Sequence, residues 1–202
     1  CELVFLFFVR GLVINAIRIH WQQTPIVFHN VDLHYLRVKR EAELTNSLKT
    51  HLRAQTVRRK EMAMFAAADA AIVHTPYEQA LVAKTIDLKK LLVFPYICDV
   101  RVSVPPFDAR QDVMFLGGFR HQPNVDAVKW FVAEVWPQLK DQLPATALLH
   151  IVGSKPTDEI RSMAGGRSLL HANAPTLEPH FDSARVFVAP LRYGAGIKGK
   201  VI

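Results

Sequence analysis

Cysteine is scarce in this sequence, with only Cys1 and Cys98 in 202 residues. Two thiols at that separation build neither a disulfide framework nor a metal-ligand spacing, so a small stapled scaffold is excluded and a reducing compartment fits. Long uncharged apolar runs are lacking as well. The first nineteen residues are strongly apolar (Leu3-Val4-Phe5-Leu6-Phe7-Phe8-Val9), yet Arg10 and Arg18 interrupt them. A membrane span needs about 20 nearly uncharged residues, so this segment reads as a buried strand followed by a helix. Internal repeats and low-complexity tracts are absent, and so are a zinc module and an aromatic-interleaved RNA-binding pattern. An initiating Met is missing too: the chain runs from Cys1 to Val201-Ile202, directly after a glycine-lysine loop. It is therefore expected to be an internal piece of a longer protein, truncated at both ends, and a signal peptide cannot be judged from it.

What is present is an ordinary globular composition, half hydrophobic and 21% charged, which suits an α/β protein and not a disordered one. The formal charge of +7 and a pI near 9.6 call for an anionic partner. A phosphorylated ligand, an anionic membrane surface or a nucleic acid would each satisfy it.

Short apolar runs alternate with helical stretches. Leu3–Val9, Pro25–His29, Ala70–His74 and Leu91–Tyr96 have strand length and character. Between Leu36 and Ala67 lies one long stretch of good helix formers. Thr75 is placed to cap a helix opening with Pro76 and carrying Glu78 in its first turn. Residues 99–111, punctuated by Pro105 and Pro106, carry no hydrophobic periodicity and read as a linker. Beyond it, Val113–Leu116, Leu148–Val152 and Val186–Ala189 read as strands. Asn124 is expected to cap a helix over Val125–Trp136, Pro137 to end it, and Thr157 to cap a short one. The alternation predicts βαβ units with parallel sheets, in two Rossmann-like domains at 1–98 and 112–202, both incomplete.

Four segments carry candidate chemistry. After the last strand, Tyr193-Gly194-Ala195-Gly196-Ile197-Lys198-Gly199-Lys200 places three glycines and two lysines within seven residues. Glycines let backbone N–H groups approach a ligand, lysines supply charge, and ligands in open α/β sheets bind beyond the carboxyl ends of strands. Gly194, Gly196, Lys198 and Lys200 are thus candidates for holding a diphosphate. A plain glycine turn with solvated lysines is the alternative. Gly117-Gly118-Phe119-Arg120-His121 also joins a strand end to a helix N-terminus, where anions are favoured. It lacks the third glycine and the later acid of the dinucleotide fingerprint. Gly117, Gly118, Arg120 and His121 are either phosphate contacts or a simple turn. His29-Asn30-Val31-Asp32-Leu33-His34 makes a polar floor at a third strand end. There Asp32 and His34 either act on a proton or a sugar hydroxyl, or Asp32 merely caps the next helix. No metal-ligand set is recognisable among them. Lastly, the basic stretch Arg37–Lys60 is a solvated helix face or, if functional, a surface for anionic lipid headgroups.

Taken in order, these pieces resemble glycosyltransferase family 4, the large group 1 retaining family with the GT-B fold. The resemblance rests on Asp32-Leu33-His34-Tyr35-Leu36-Arg37, on Ala68-Asp69 through Thr75-Pro76-Tyr77-Glu78, and on Phe115 to Asp126 with its Pro123-Asn124-x-Asp126 ending. It continues through Trp136-Pro137, Ile151-Val152-Gly153 and Pro190 to Lys200, so it covers roughly residue 25 to the end. It implies transfer of a sugar from a nucleotide-diphosphate donor to a glycan, lipid-linked or small-molecule acceptor, with retained configuration. It also implies a C-terminal donor domain facing an N-terminal acceptor-side domain, no cofactor and no obligatory metal, and a cytoplasmic location, if at a membrane then peripheral at its inner face. Positive side chains and backbone amides must then stabilise the departing diphosphate, which points to Lys198, Lys200 and Arg120.

This chain departs from the family pattern in two places. Gly118 and Pro123 stand where many members have a phosphate-gripping Arg and Lys, and the second of two family glutamates would fall beyond Ile202. The 202-residue piece alone is accordingly expected to be nearly inactive. A non-catalytic nucleotide-sugar-binding module and a nucleotide-sugar epimerase of the same fold are the alternatives. A nucleic-acid partner is not expected.

Overall fold

The computed structural model describes residues 4–7, 12–87, 90–98, 104–199 and 201. The chain divides into two compact units. The first comprises residues 1–97 with Tyr193–Gly199, and the second comprises residues 98–192 with 200–202.

The first unit is built on four parallel strands: β1 (Val4–Phe7), β2 (Ile26–His29), β3 (Ala70–Val73) and β4 (Leu91–Val93), in that spatial order. Helices α1 (Leu12–His20), α2 (His34–Thr45), α3 (Leu48–Ala67) and α4 (Pro76–Ala83) connect them. In β2 alternate residues are buried, Ile26 and Phe28 going into the core while Val27 and His29 are half-buried. The Phe28 ring meets Phe65 of α3 edge-on, 4.9 Å between centroids, an arrangement aromatic quadrupoles favour. Arg18 of α1 ties the edge of this core by bonding Asp69 at 2.7 Å, and Asp69 also accepts the Ile26 N–H at 2.7 Å.

The long helical stretch expected over Leu36–Ala67 is two helices. Asn46 closes α2 in the left-handed conformation (φ 49°), and Ser47 caps α3 by accepting the Thr50 N–H at 3.3 Å. Asn tolerates that conformation better than most residues, so a break hides inside good helix formers. The Thr75 cap has the expected form, with its hydroxyl accepting the Glu78 N–H at 3.1 Å and Pro76 in the first turn.

The second unit carries β5 (Asp112–Leu116), β6 (Leu149–Gly153), β7 (Ser168–Ala172) and β8 (Ala184–Val188), all parallel, in the order β7-β6-β5-β8. Its helices are α5 (Gln122–Trp130), α6 (Trp136–Lys140), α7 (Asp158–Arg161) and α8 (Glu178–Ser183). One face of the sheet holds Val113, Phe115, Leu149 and Ile151 against Val125, Val128, Phe131 and Trp136. The other face buries Met114, Val152 and Ala184.

Two expectations about the helix after β5 are corrected. It begins at Gln122 with His121 in the capping place, while the Asn124 side chain donates to Gly118 O at 2.9 Å and so closes the preceding loop. Pro137 does not end it. A π-helical turn over Phe131–Val135 lets α6 restart at Trp136, with Pro137 in a first turn where its missing N–H costs nothing. Strand β7 and helix α8 have no counterpart among the sequence-based expectations.

Candidate functional site

In the first unit the polar floor forms where β2 ends. Asn30 is buried and its N–H reaches Ile72 O at 2.9 Å. The residue that caps α2 is Leu33, which is buried and has no side-chain oxygen to offer. The cap comes from elsewhere: Glu61 of α3 accepts the His34 N–H at 2.7 Å and the Tyr35 N–H at 2.8 Å. A carboxylate at a helix N-terminus satisfies orphan amides and complements the helix dipole. Glu61 is only 4% exposed.

Asp32 does not cap the helix. It lies between two side chains of α2, with Oδ1 3.0 Å from His34 Nδ1 and Oδ2 accepting from Arg37 Nη1 at 3.2 Å. His34 Nδ1 is also 3.0 Å from Glu61 Oε1. Ionised carboxylates only accept, so Nδ1 carries a proton. A second pair stands at the neighbouring strand ends, where His29 Nε2 and His74 Nε2 are 3.0 Å apart. His74 Nδ1 faces Phe94 O at 2.8 Å, so in a neutral His74 the Nε2 accepts and His29 donates. Burial, helped by His74, pushes the His29 ring below its ordinary imidazole value.

The glycine-lysine segment Tyr193–Gly199 belongs to the same compact unit. Arg40 Nη1 donates to Gly194 O at 2.6 Å, and Lys198 Nζ donates to Ala195 O. Gly196 has φ +69°, and a Cβ there would stand 2.7 Å from Asp32 Cβ, so both backbone and space demand glycine. The half-buried Lys198 ammonium is pushed below the usual lysine range, chiefly by lost hydration. Asp32 opposes the shift, Arg40 and Arg37 add to it, and Glu78 opposes it weakly. Glu78 is 2% exposed; its Oε2 accepts from Thr75 Oγ1 at 3.0 Å, and its Oε1 has no donor among the described residues.

Asp32, His34, Gly194, Gly196 and Lys198 are thus brought together, joined by Arg37, Arg40, Glu61 and Glu78. Glu78 was visible in sequence as a first-turn acid and Arg37 and Arg40 as members of a basic run. Glu61 gave no signal, being one acid in a cationic stretch. Lys200 lies outside the described residues.

The other glycine pair lies in the second unit at the end of β5. Gly117 N–H reaches Val152 O at 3.0 Å, and Gly118 O accepts from the His121 N–H at 3.2 Å. A Cβ on Gly117 would meet the Asn124 side chain at 2.7 Å. Gly118, Arg120 and His121 are exposed at the N-terminus of α5. The strand order makes this place notable. From β5 the chain steps outward through β6 to β7 and returns to the opposite side of β5 as β8, and the crevice beside such a reversal is where open α/β sheets hold ligands. Because Phe115 and Val188 are neighbours across β5 and β8, the loops leaving these strands start side by side. Three histidines elsewhere in this unit, His150, His171 and His180, bring ring nitrogens within 4.8 Å of one another. Among the described residues no helix is long and apolar enough to cross a membrane.

Residues 110–202 match the family described as glycosyl transferases group 1. No curated protein matches the chain by sequence. Among solved structures, sucrose-phosphate synthase from Thermosynechococcus elongatus is similar over 97% of this chain and 52% of its own, with a TM-score of 0.69 and 19% identity. TarM is similar over 90% of this chain and 34% of its own (TM-score 0.61, 14% identity). The pneumococcal O-GlcNAc transferase GtfA, solved with UDP and GlcNAc, is similar over 95% of this chain and 38% of its own (TM-score 0.54, 13% identity). These likenesses establish the GT-B type of α/β fold with parallel sheets. The chain spans about a third to a half of the length of each.

Proposed function

From the match of residues 110–202 to the family described as glycosyl transferases group 1, we propose that the full-length protein is a glycosyltransferase. It moves a sugar from a nucleotide-diphosphate donor to a hydroxyl of a glycan, lipid-linked or small-molecule acceptor, with retained anomeric configuration. The observation that carries this reading is the reversal of strand order at β5 in the second unit, with the Gly117-Gly118 loop leaving that strand at the crevice.

The bond between the anomeric carbon and the diphosphate breaks as the acceptor oxygen bonds to that carbon, and the acceptor proton must leave. Negative charge collects on the departing diphosphate. Lys198, Lys200, Arg120, His121 and the amides around Gly117, Gly118, Gly194 and Gly196 are the donors assigned to it in place of a metal ion. The carbonyls of Gly194 and Ala195 are already held by Arg40 and Lys198, which orients the segment before a ligand arrives. Asp32 and His34 are assigned to the sugar and acceptor hydroxyls. His34 donates its Nδ1 proton to Glu61 Oε1, which fixes the orientation of the ring presented to the acceptor.

Calorimetric titration of the full-length protein with UDP, GDP and ADP tests the reading. One diphosphate is expected to bind, equally well with and without a chelator, and Lys198→Ala to weaken it by about 1.5–3 kcal/mol, the scale of a charge-assisted hydrogen bond. Absence of binding by all three would overturn the assignment.

The same protein is proposed to sit peripherally at the inner face of an anionic membrane. Exposed Lys49, Arg53, Arg59 and Lys60 share α3 with Leu48 and Leu52, themselves 75% and 56% exposed, and such a combination suits lipid headgroups. Co-sedimentation with phosphatidylserine vesicles that is lost at high salt is expected; equal recovery with neutral vesicles would refute it.

A further inference from the structure

We propose that His150, His171 and His180 form a zinc-type metal site that joins α8 to strands β6 and β7. Their ligating nitrogens all lie within 4.8 Å of one another. His150 on β6 and His171 on β7 project from the sheet face opposite Leu149, Ile151 and Leu170, and His180 comes from α8.

The hydrogen bonding around His150 sets up a ligand. Asp112 Oδ2 lies 3.1 Å from His150 Nε2, while Asp112 Oδ1 is occupied by the Leu148 N–H at 3.0 Å. A carboxylate facing Nε2 puts the ring proton there and leaves Nδ1 with a lone pair. That is the carboxylate–histidine arrangement by which proteins orient metal ligands and raise their basicity. The lone pair faces His171 Nε2 at 2.8 Å. Tetrahedral zinc with bonds of about 2.0–2.1 Å separates its nitrogens by roughly 3.3 Å, so this pair needs to open by about half an ångström and His180 to close in. The rings already converge, with centroids of His171 and His180 at 4.3 Å and of His150 and His171 at 5.0 Å.

The donor set selects the metal class. Three imidazoles suit zinc and its late transition-metal neighbours, and are too soft and oxygen-poor for magnesium or calcium. His171 and His180 are half-buried, which leaves a fourth position for water. The fold also has a use for the bond. Helix α8 has six residues, none of them buried, and no side-chain cap, yet it leads directly into β8. A metal would fasten it to the sheet.

The test uses tag-free, chelator-stripped full-length protein. Zinc titrated by calorimetry is expected to bind one ion per chain and to raise Tm, and cobalt(II) to give the intense visible bands of a tetrahedral site. His171→Ala with His180→Ala should abolish both signals while far-ultraviolet dichroism stays unchanged, and Asp112→Asn should weaken zinc about 10–100-fold. Failure of the wild-type protein to bind zinc saturably, or retention of binding in the double variant, would overturn the proposal. Neither result bears on diphosphate binding.

Discussion

In the first sheet the strands step across in chain order, β1-β2-β3-β4, whereas in the second the order β7-β6-β5-β8 doubles back at β5. The difference decides how each unit makes a polar site. A reversal of direction opens a crevice at the strand ends by topology alone, so the second unit needs only short loops that leave room. The first sheet has no reversal among its described strands, and its polar cluster is assembled by side chains reaching across. Glu61 comes from α3, Arg37 and Arg40 come from α2, and the Tyr193–Gly199 segment lies among them. Glycine serves the two arrangements differently. Gly117 and Gly153 let β5 and β6 ends approach at φ values open to any residue, while Gly196 supplies a left-handed bend against Asp32.

Substitutions at these glycines break or sharpen the contrast. The largest effect is expected from Gly153→Ala, whose Cβ would stand 2.1 Å from Gly117 O. Backbone cannot yield as a side chain does, so the second unit should lose about 3 kcal/mol or more. Urea unfolding followed by the fluorescence of Trp130 and Trp136 measures it, and an unchanged midpoint would mean the loops do not pack this way. Smaller effects are expected for a matched pair. Gly196→Ala should cost about 1–2 kcal/mol for the left-handed backbone of an L-residue, with the contact against Asp32 Cβ adding to it, and weaken nucleotide binding with it. Gly118→Ala meets only Ser154 Oγ at 3.3 Å and should move stability by less than about 0.5 kcal/mol, yet still weaken nucleotide binding if phosphate lies on that backbone. Equal losses of stability in the two variants would erase the distinction between a loop built for space and a loop built for shape.

Much of the fold was readable from local pattern. Buried parallel strands are short apolar runs, and Thr75-Pro76 announced its helix because the capping group is local. What failed to show was decided at a distance. The break at Asn46–Ser47 depends on one left-handed residue among helix formers. Strand β7 is half-exposed, and only Ser168 of its five residues is buried, so it lacks the apolar run that marks its neighbours. Asn124 lies inside α5 because its side-chain amide donates to Gly118 O, where a cap would have used its oxygen to accept a helix N–H. The candidate site divides in the same way. Asp32, His34 and the glycine-lysine segment are contiguous motifs, whereas Glu61 is 27 residues from the amide it accepts. The three clustered histidines fall on two strands and a helix, with no spacing that identifies them.

The tertiary cap on α2 has one more consequence. His34 and Tyr35 occupy a first turn whose amides are satisfied by the second arm of a helical hairpin. Helix α2 in isolation would begin with those donors unmet, so its opening turn is conditional on α3 having docked. Secondary structure and tertiary contact are one event at this position. Whatever shifts α3, from a bound surface to a neighbouring domain, is transmitted to the imidazole of His34 without touching it.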